Sequence, residues 1–295
     1  VRFRLDLGYD GTNFRGWGVQ PNLRTVQGTL EEALALVCRS RVRTVVAGRT
    51  DAGVHARRQA VHLDLGEAQI AALVGQRRVD RDGVPRTPES ALVSRLRGAL
   101  SRLDAHDVVI HGAAAVSDDF DARFSAQWRA YSYRLADDLS FFDPLLAAAT
   151  VRHRGALDSD AMARAAAGLL GLHDFLPFCK PRPDSTTIRT LQQISVGRDR
   201  DGVIVFRLRA DAFCHHMVRA IVGGLIRVGT GAWSADYPAQ LLERASSQGG
   251  SPEPLYIAPG EGLVMEEVGY PPEGEWAARA RQTRARRDSA ELGNG

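Results

Sequence analysis

The stretch Arg43–Leu65, RTVVAGRTDAGVHARRQAVHLDL, decides the reading of the chain. Thr44 to Ala47 is a short apolar run. Gln59 to Leu65 alternates, with Val61, Leu63 and Leu65 on one face, as in a half-buried strand. Between the two runs lies GRTDAGVHA, Gly48–Ala56, in which small residues surround one carboxylate and one arginine. Two glycines there permit backbone geometry that other residues resist. A strand, a shaped loop and a second strand are either an ordinary turn or a platform for a functional carboxylate, Asp51.

Working outward, Phe3, Leu5 and Leu7 alternate with Arg2, Arg4 and Asp6 in an opening strand. A Gly-rich loop over 8–22 leads to a helix over Val26–Cys38, with Leu30, Ala33, Leu34 and Val37 on one stripe. Thr29 and Glu32 have capping-box spacing. After the strands at 43–47 and 59–65 comes a polar stretch, then a helix carrying Leu92, Leu96, Leu100 and Leu103. A strand over Val108–Ala114 completes β-α-β-β-α-β.

The second half repeats that order. Ser125–Leu135 is an aromatic-rich strand and Asp158–Leu170 an Ala/Leu-rich helix. Leu191–Val196 and Val203–Leu208 flank Asp201-Gly202, a hairpin turn signal. Helices follow over Phe213–Val228 and Tyr237–Ser247, and Leu263–Val268 is the closing strand. The expectation is an α+β fold of two ferredoxin-like, split βαβ halves, with sheets meeting at a central cleft. The boundaries expected are 1–115, 116–271 and a polar basic tail over 272–295. The charged segment 76–89, QRRVDRDGVPRTPE, reads as a surface excursion.

Composition narrows the function classes. The chain has 295 residues, enough for a sizeable core, and a formal net charge of +3, so charge alone names no partner. Of the 38 basic residues only Lys180 is lysine. Arginine suits phosphate and base edges, although GC-rich coding also favours arginine. Arg2, Arg4, Arg15, Arg123 and Arg129 are candidates for a basic surface. The three cysteines, Cys38, Cys179 and Cys214, show no metal-ligand spacing and no disulfide framework. His55, His62, His215 and His216 lack a ligand-spaced set, so no metal site is expected. A GxGxxG fingerprint and a Walker loop are absent, and no apolar run has the length of a membrane span. With no leader-like opening, a cytoplasmic protein is expected.

Gly48–Ala56 resembles the signature of the TruA family of tRNA pseudouridine synthases. Other segments resemble that family in the same order: Tyr9–Trp17 with Gln20-Pro21, Thr25–Gly28, Asp119–Ala126, Phe213–Arg219 with Gly223, and Gly260–Leu263. The resemblance runs over about residues 2–270. It departs at Ala130, where the family often carries a basic residue, and in the excursion and tail. It implies an isomerase that converts uridine to pseudouridine in the tRNA anticodon stem-loop, at tRNA positions 38–40, usually as a homodimer and without a cofactor. By resemblance Asp51 is the catalytic carboxylate, as nucleophile, cation stabiliser or base. Arg49 is a candidate to hold phosphate or fill the gap left by a flipped base. Tyr131 matches a tyrosine that stacks on the uracil, its alternative being a core strand residue. Arg219 is the candidate cation that keeps the carboxylate ionised, its alternative being an exposed helix arginine. Two rival readings are a non-catalytic structured-RNA-binding protein of the same fold and a metal-dependent hydrolase using the histidines.

Overall fold

The computed structural model describes residues 1–75, 79, 83, 85–180, 186–248 and 255–284, the side chains of 246–248 excepted. These residues form two compact units, one of Val1–Gln127 with Glu267–Arg284, the other of Trp128–Glu266.

In the first unit the elements are β1 (Arg2–Tyr9), α1 (Val26–Cys38), β2 (Val45–Val46), β3 (His55–Asp64), α2 (Glu67–Val74), α3 (Pro88–Arg102) and β4 (Val108–Val116). The strands β4-β1-β3 run antiparallel, with β2 on the far side of β3. Alternation in β1 puts Phe3, Leu5 and Leu7 on a single face, where they are buried with Val61 and Leu63 of β3. The apolar stripes of α1 and α3 are buried as well, through Leu30, Leu34, Leu92 and Leu96. Helix α1 starts a turn before the Thr29 box: Thr25 is its N-cap and accepts the Gly28 amide at 3.2 Å.

Three local features depart from the sequence reading. The strand expected over 43–47 is regular only at Val45–Val46: the Ala47 amide still donates to the Ala60 carbonyl at 2.9 Å, but at the other end Glu31 of α1 accepts the Thr44 amide and hydroxyl, both at 2.9 Å. Strand β3 begins at His55, four residues before the expected start. Helix α2 occupies a stretch read as polar. Leu73 is its only buried residue, so its periodicity is faint. Its first turn is closed by the Gly66 amide donating to Gln69 Oε1 at 2.8 Å. Residues 76–78, 80–82 and 84 of the excursion fall outside the described residues; α3 begins at Pro88, with Thr87 as N-cap.

The second unit is built from β5 (Trp128–Ala136), β6 (Val151–Arg152), α4 (Ser159–Ala167), β7 (Gly171–Asp174), β8 (Ile188–Arg198), β9 (Ile204–Ala210), α5 (Met217–Gly229), α6 (Tyr237–Gln248) and β10 (Leu263–Gly269). Its strands follow the order β10-β5-β9-β8-β7, with the short β6 parallel to β5. The β8–β9 hairpin turns at Asp201-Gly202, where Gly202 has φ +75° and a Cβ would press on the Leu139 carbonyl. Asp137, at the end of β5, forms a forked pair with Arg198 at 2.7 and 2.9 Å. Burial alone would raise the Asp137 carboxyl. The bonds from Arg198, the Leu157 amide and the Ser140 hydroxyl outweigh it and hold the group far below the usual carboxylate range.

From Glu267, within β10, the chain belongs again to the first unit. Within the stretch read as a polar tail, α7 (Trp276–Arg284) docks through Trp276, which meets Phe120 edge-on at 4.9 Å. Arg284 pairs with Asp121 at 2.9 Å. The first unit reaches to Gln127 because Phe120 and Ala122 form this small core with Trp276. Among the described residues no helix is long and apolar enough to cross a membrane.

Candidate active site

Asp51 stands in the loop between β2 and β3, half-buried, with Arg49 exposed two residues before it. The loop is held from below and from the side. From below, the fully buried Gln59 of β3 donates through Nε2 to the Gly48 carbonyl at 2.8 Å and to the Tyr9 hydroxyl at 3.3 Å. The Tyr9 hydroxyl lies 2.8 Å from Thr50 Oγ1. Burial pushes the Tyr9 phenol up to about 12, so it stays protonated at neutral pH and available as a donor.

From the side, the opening loop wraps the Asp51 loop through main-chain bonds. The Trp17 amide donates to the Thr50 carbonyl at 3.0 Å, and the Gly53 amide to the Phe14 carbonyl at 3.3 Å. Phe14 and Trp17 are buried beneath this contact. A Cβ on Gly11 would run into the Val54 carbonyl, so only glycine permits the two loops to approach so closely. Nδ1 of His55 lies 3.0 Å from both the Gly11 amide nitrogen and Asp10 Oδ1. A neutral ring accepts from the amide; a protonated ring pairs with the carboxylate. Asp51 thus projects from a backbone fixed on both sides, which suits a group that must be preorganised.

Tyr131 and Arg219 belong to the second unit. Tyr131 is buried on β5, and its ring meets Phe213 edge-on, 5.0 Å between centroids. Arg219, in the first turn of α5, is half-buried rather than exposed. Its Nε donates to the Ala258 carbonyl at 2.7 Å, and its own carbonyl accepts the Ala258 amide at 3.1 Å. Gly223, one turn on, has no room for a Cβ against the Tyr256 carbonyl. The segment 256–258 is therefore laid directly on α5. The rings of His215 and His216 lie tilted against each other, 3.8 Å between centroids, just before that helix, and His216 caps it in a left-handed conformation, φ +67°.

Several sequence candidates have structural roles. His62 is buried and its Nδ1 accepts the Ala122 amide at 2.9 Å; burial, followed by the nearby Arg2 charge, pushes its pKa down. Arg2 binds Asp64 and the carbonyls of Asp118 and Phe120, Arg4 binds Asp6, and the buried Arg129 binds the Asp211 carbonyl. Cys179 and Cys214, far apart in sequence and without a disulfide framework in their spacing, form a disulfide. The turn after β7 and the start of α5 pack together, which the sequence separation conceals. Sequence reading also passed over Gln59 as a loop anchor. A polar residue inside an alternating strand was the available signal, since a buried amide needs partners.

A family profile described as tRNA pseudouridine synthase matches residues 165–271. The chain is 47% identical over 290 residues to a protein named tRNA pseudouridine synthase A from Leifsonia xyli subsp. xyli, covering 97% of this chain and 98% of that one. It is 44% identical over 292 residues to one of the same name from Streptomyces avermitilis, covering 97% and 94%. A third from Cutibacterium acnes is 43% identical over 299 residues, covering 99% and 97%. An α+β chain with a preorganised loop carboxylate and identity of this extent belongs to the tRNA pseudouridine synthase A family.

Proposed function

We propose that this protein isomerises uridine to pseudouridine in the anticodon stem-loop of tRNA, at positions 38–40, with Asp51 as its catalytic carboxylate. The reaction breaks the C1′–N1 glycosidic bond, turns the uracil and forms a C1′–C5 bond. The proton on C5 leaves and N1 gains one, so the change is redox-neutral and needs no external group. Asp51 serves as the nucleophile or base, or as the anion beside a developing sugar cation. The observation that carries the reading is the half-buried carboxylate on a loop clamped by Tyr9, Gln59 and Trp17, in a chain so close to the synthases.

In this reading Arg49, exposed beside Asp51, meets the RNA phosphate or occupies the flipped base's place. Tyr131, backed by Phe213, stacks on the uracil. Arg219 supplies the cation that keeps the carboxylate ionised. The protein works in the cytoplasm as a homodimer that holds one tRNA. Incubation with unmodified tRNA, followed by chemical mapping of pseudouridine, tests the reading: product at positions 38–40 is expected, and none anywhere in the tRNA rejects it.

A further inference from the structure

Cys179 follows the 3-10 turn Leu176–Phe178, and Cys214 lies three residues before the start of α5. Their Cα atoms are 5.9 Å apart, inside the span of roughly 4.4–6.8 Å that a disulfide bridges. Next to this link the Lys180 amide donates to the His215 carbonyl at 2.9 Å. Both cysteines are half-exposed, whereas Cys38 is buried. Accessible thiols with a partner in reach are the ones that oxidise reversibly. In a reducing compartment such a bond is transient and acts as a sensor rather than a staple.

The link lies where it can act on turnover. Phe213 backs Tyr131, His216 holds its left-handed conformation at the helix cap, and α5 carries Arg219. We propose that Cys179 and Cys214 are a peroxide-oxidised redox pair whose disulfide pins Phe213–His216 and slows turnover. One thiol loses its proton and attacks hydrogen peroxide as the thiolate; the O–O bond breaks, the leaving hydroxide takes up that proton, and a sulfenic acid and water result. The second thiol displaces the sulfenic oxygen as a second water and closes the S–S bond. Two electrons pass from the sulfurs to the peroxide, and a dithiol reverses the step. The kinetic consequence rests on the tRNA-modifying reading; the redox chemistry does not.

The test compares the reduced full-length protein with the same protein after peroxide treatment. Oxidation should remove about 2 Da from the intact mass and two titratable thiols, leaving Cys38. Amide exchange at 213–216 should slow, and kcat should fall about threefold or more with the KM for tRNA nearly constant. Dithiothreitol should restore both, and Cys179→Ser and Cys214→Ser should show neither change. Oxidation that leaves the mass unchanged, or goes only to sulfinic acid, overturns the pair. A disulfide that alters neither exchange nor kcat overturns the switch. If the reduced protein makes no pseudouridine the functional reading fails, and mass with amide exchange still decides the redox pair.

Discussion

The hydroxyl of Tyr9 lies 2.8 Å from Oγ1 of Thr50, the residue before Asp51, and ties the end of the first strand to the Asp51 loop. The bond is buried, so its loss leaves a polar atom uncompensated. Tyr9→Phe should therefore loosen the loop without removing any group that reacts. We expect kcat to fall by about threefold to tenfold, corresponding to roughly 0.5–1.5 kcal/mol, with tRNA affinity nearly unchanged. A loss confined to affinity would place Tyr9 on the RNA rather than under the loop.

Asp51→Asn keeps the size of the side chain and removes its charge. Because the loop is held by main-chain bonds at Thr50 and Gly53, the variant should fold and bind tRNA as the parent does. Pseudouridine formation should be abolished. Binding and product are measured separately on one tRNA, and normal product from Asp51→Asn would falsify the mechanism.

The two arginines should separate. Arg49 is exposed and Arg219 is tied to Ala258. Arg49→Ala should slow turnover and leave residual product, with thermal stability unchanged. Arg219→Ala leaves the Ala258 carbonyl without its side-chain donor, so it should lower both Tm and rate. Equal melting temperatures for the two variants would contradict this division.

Leu34 and Leu96 are fully buried on the inner stripes of α1 and α3. Truncation of either to alanine should cost about 2–5 kcal/mol in urea unfolding, through lost burial and the cavity left behind. A cost under about 1 kcal/mol for both would exclude them from the core.

Asp137 has no exposed side-chain surface and is forked to Arg198. Its folded pKa is depressed, so its stabilisation is complete above the unfolded value of 3.8 and is lost as pH falls through the folded one. Asp137→Asn should cost about 1–3 kcal/mol at neutral pH, since it removes the charged acceptor of a partly buried Arg198, which keeps only the carbonyls of Gly202 and Leu157. The gap from the parent should stay level down to about pH 5 and shrink below about pH 4. A gap that widens on acidification would show that the pair is not the source.

Much of the fold was legible because burial patterns are local. Leu5 and Leu7 alternate, Leu30 and Leu34 recur at helical spacing, and Asp201-Gly202 asks for a turn, each from neighbours in sequence. The string Gly48–Ala56 likewise marked Asp51 and Arg49 before any contact was known. Helix α2, with one buried residue, was invisible to the same reading because periodicity reports only a face that is buried.

By itself the sequence determined the order of the long strands and helices, with α2, β6 and β7 left out, the residues that line their inner faces, the loop that carries the carboxylate and the family. Tertiary structure alone decided what supports that loop: Gln59 and Tyr9, fifty positions apart, meet beneath Gly48 and Thr50. It also decided that Cys179 finds Cys214, that Ala258 is laid on Arg219, and that Trp276 returns to Phe120. The physical reason is that side-chain alternation is set by the backbone's own period, while a hydrogen bond or ring contact between distant residues exists only once separate elements have packed.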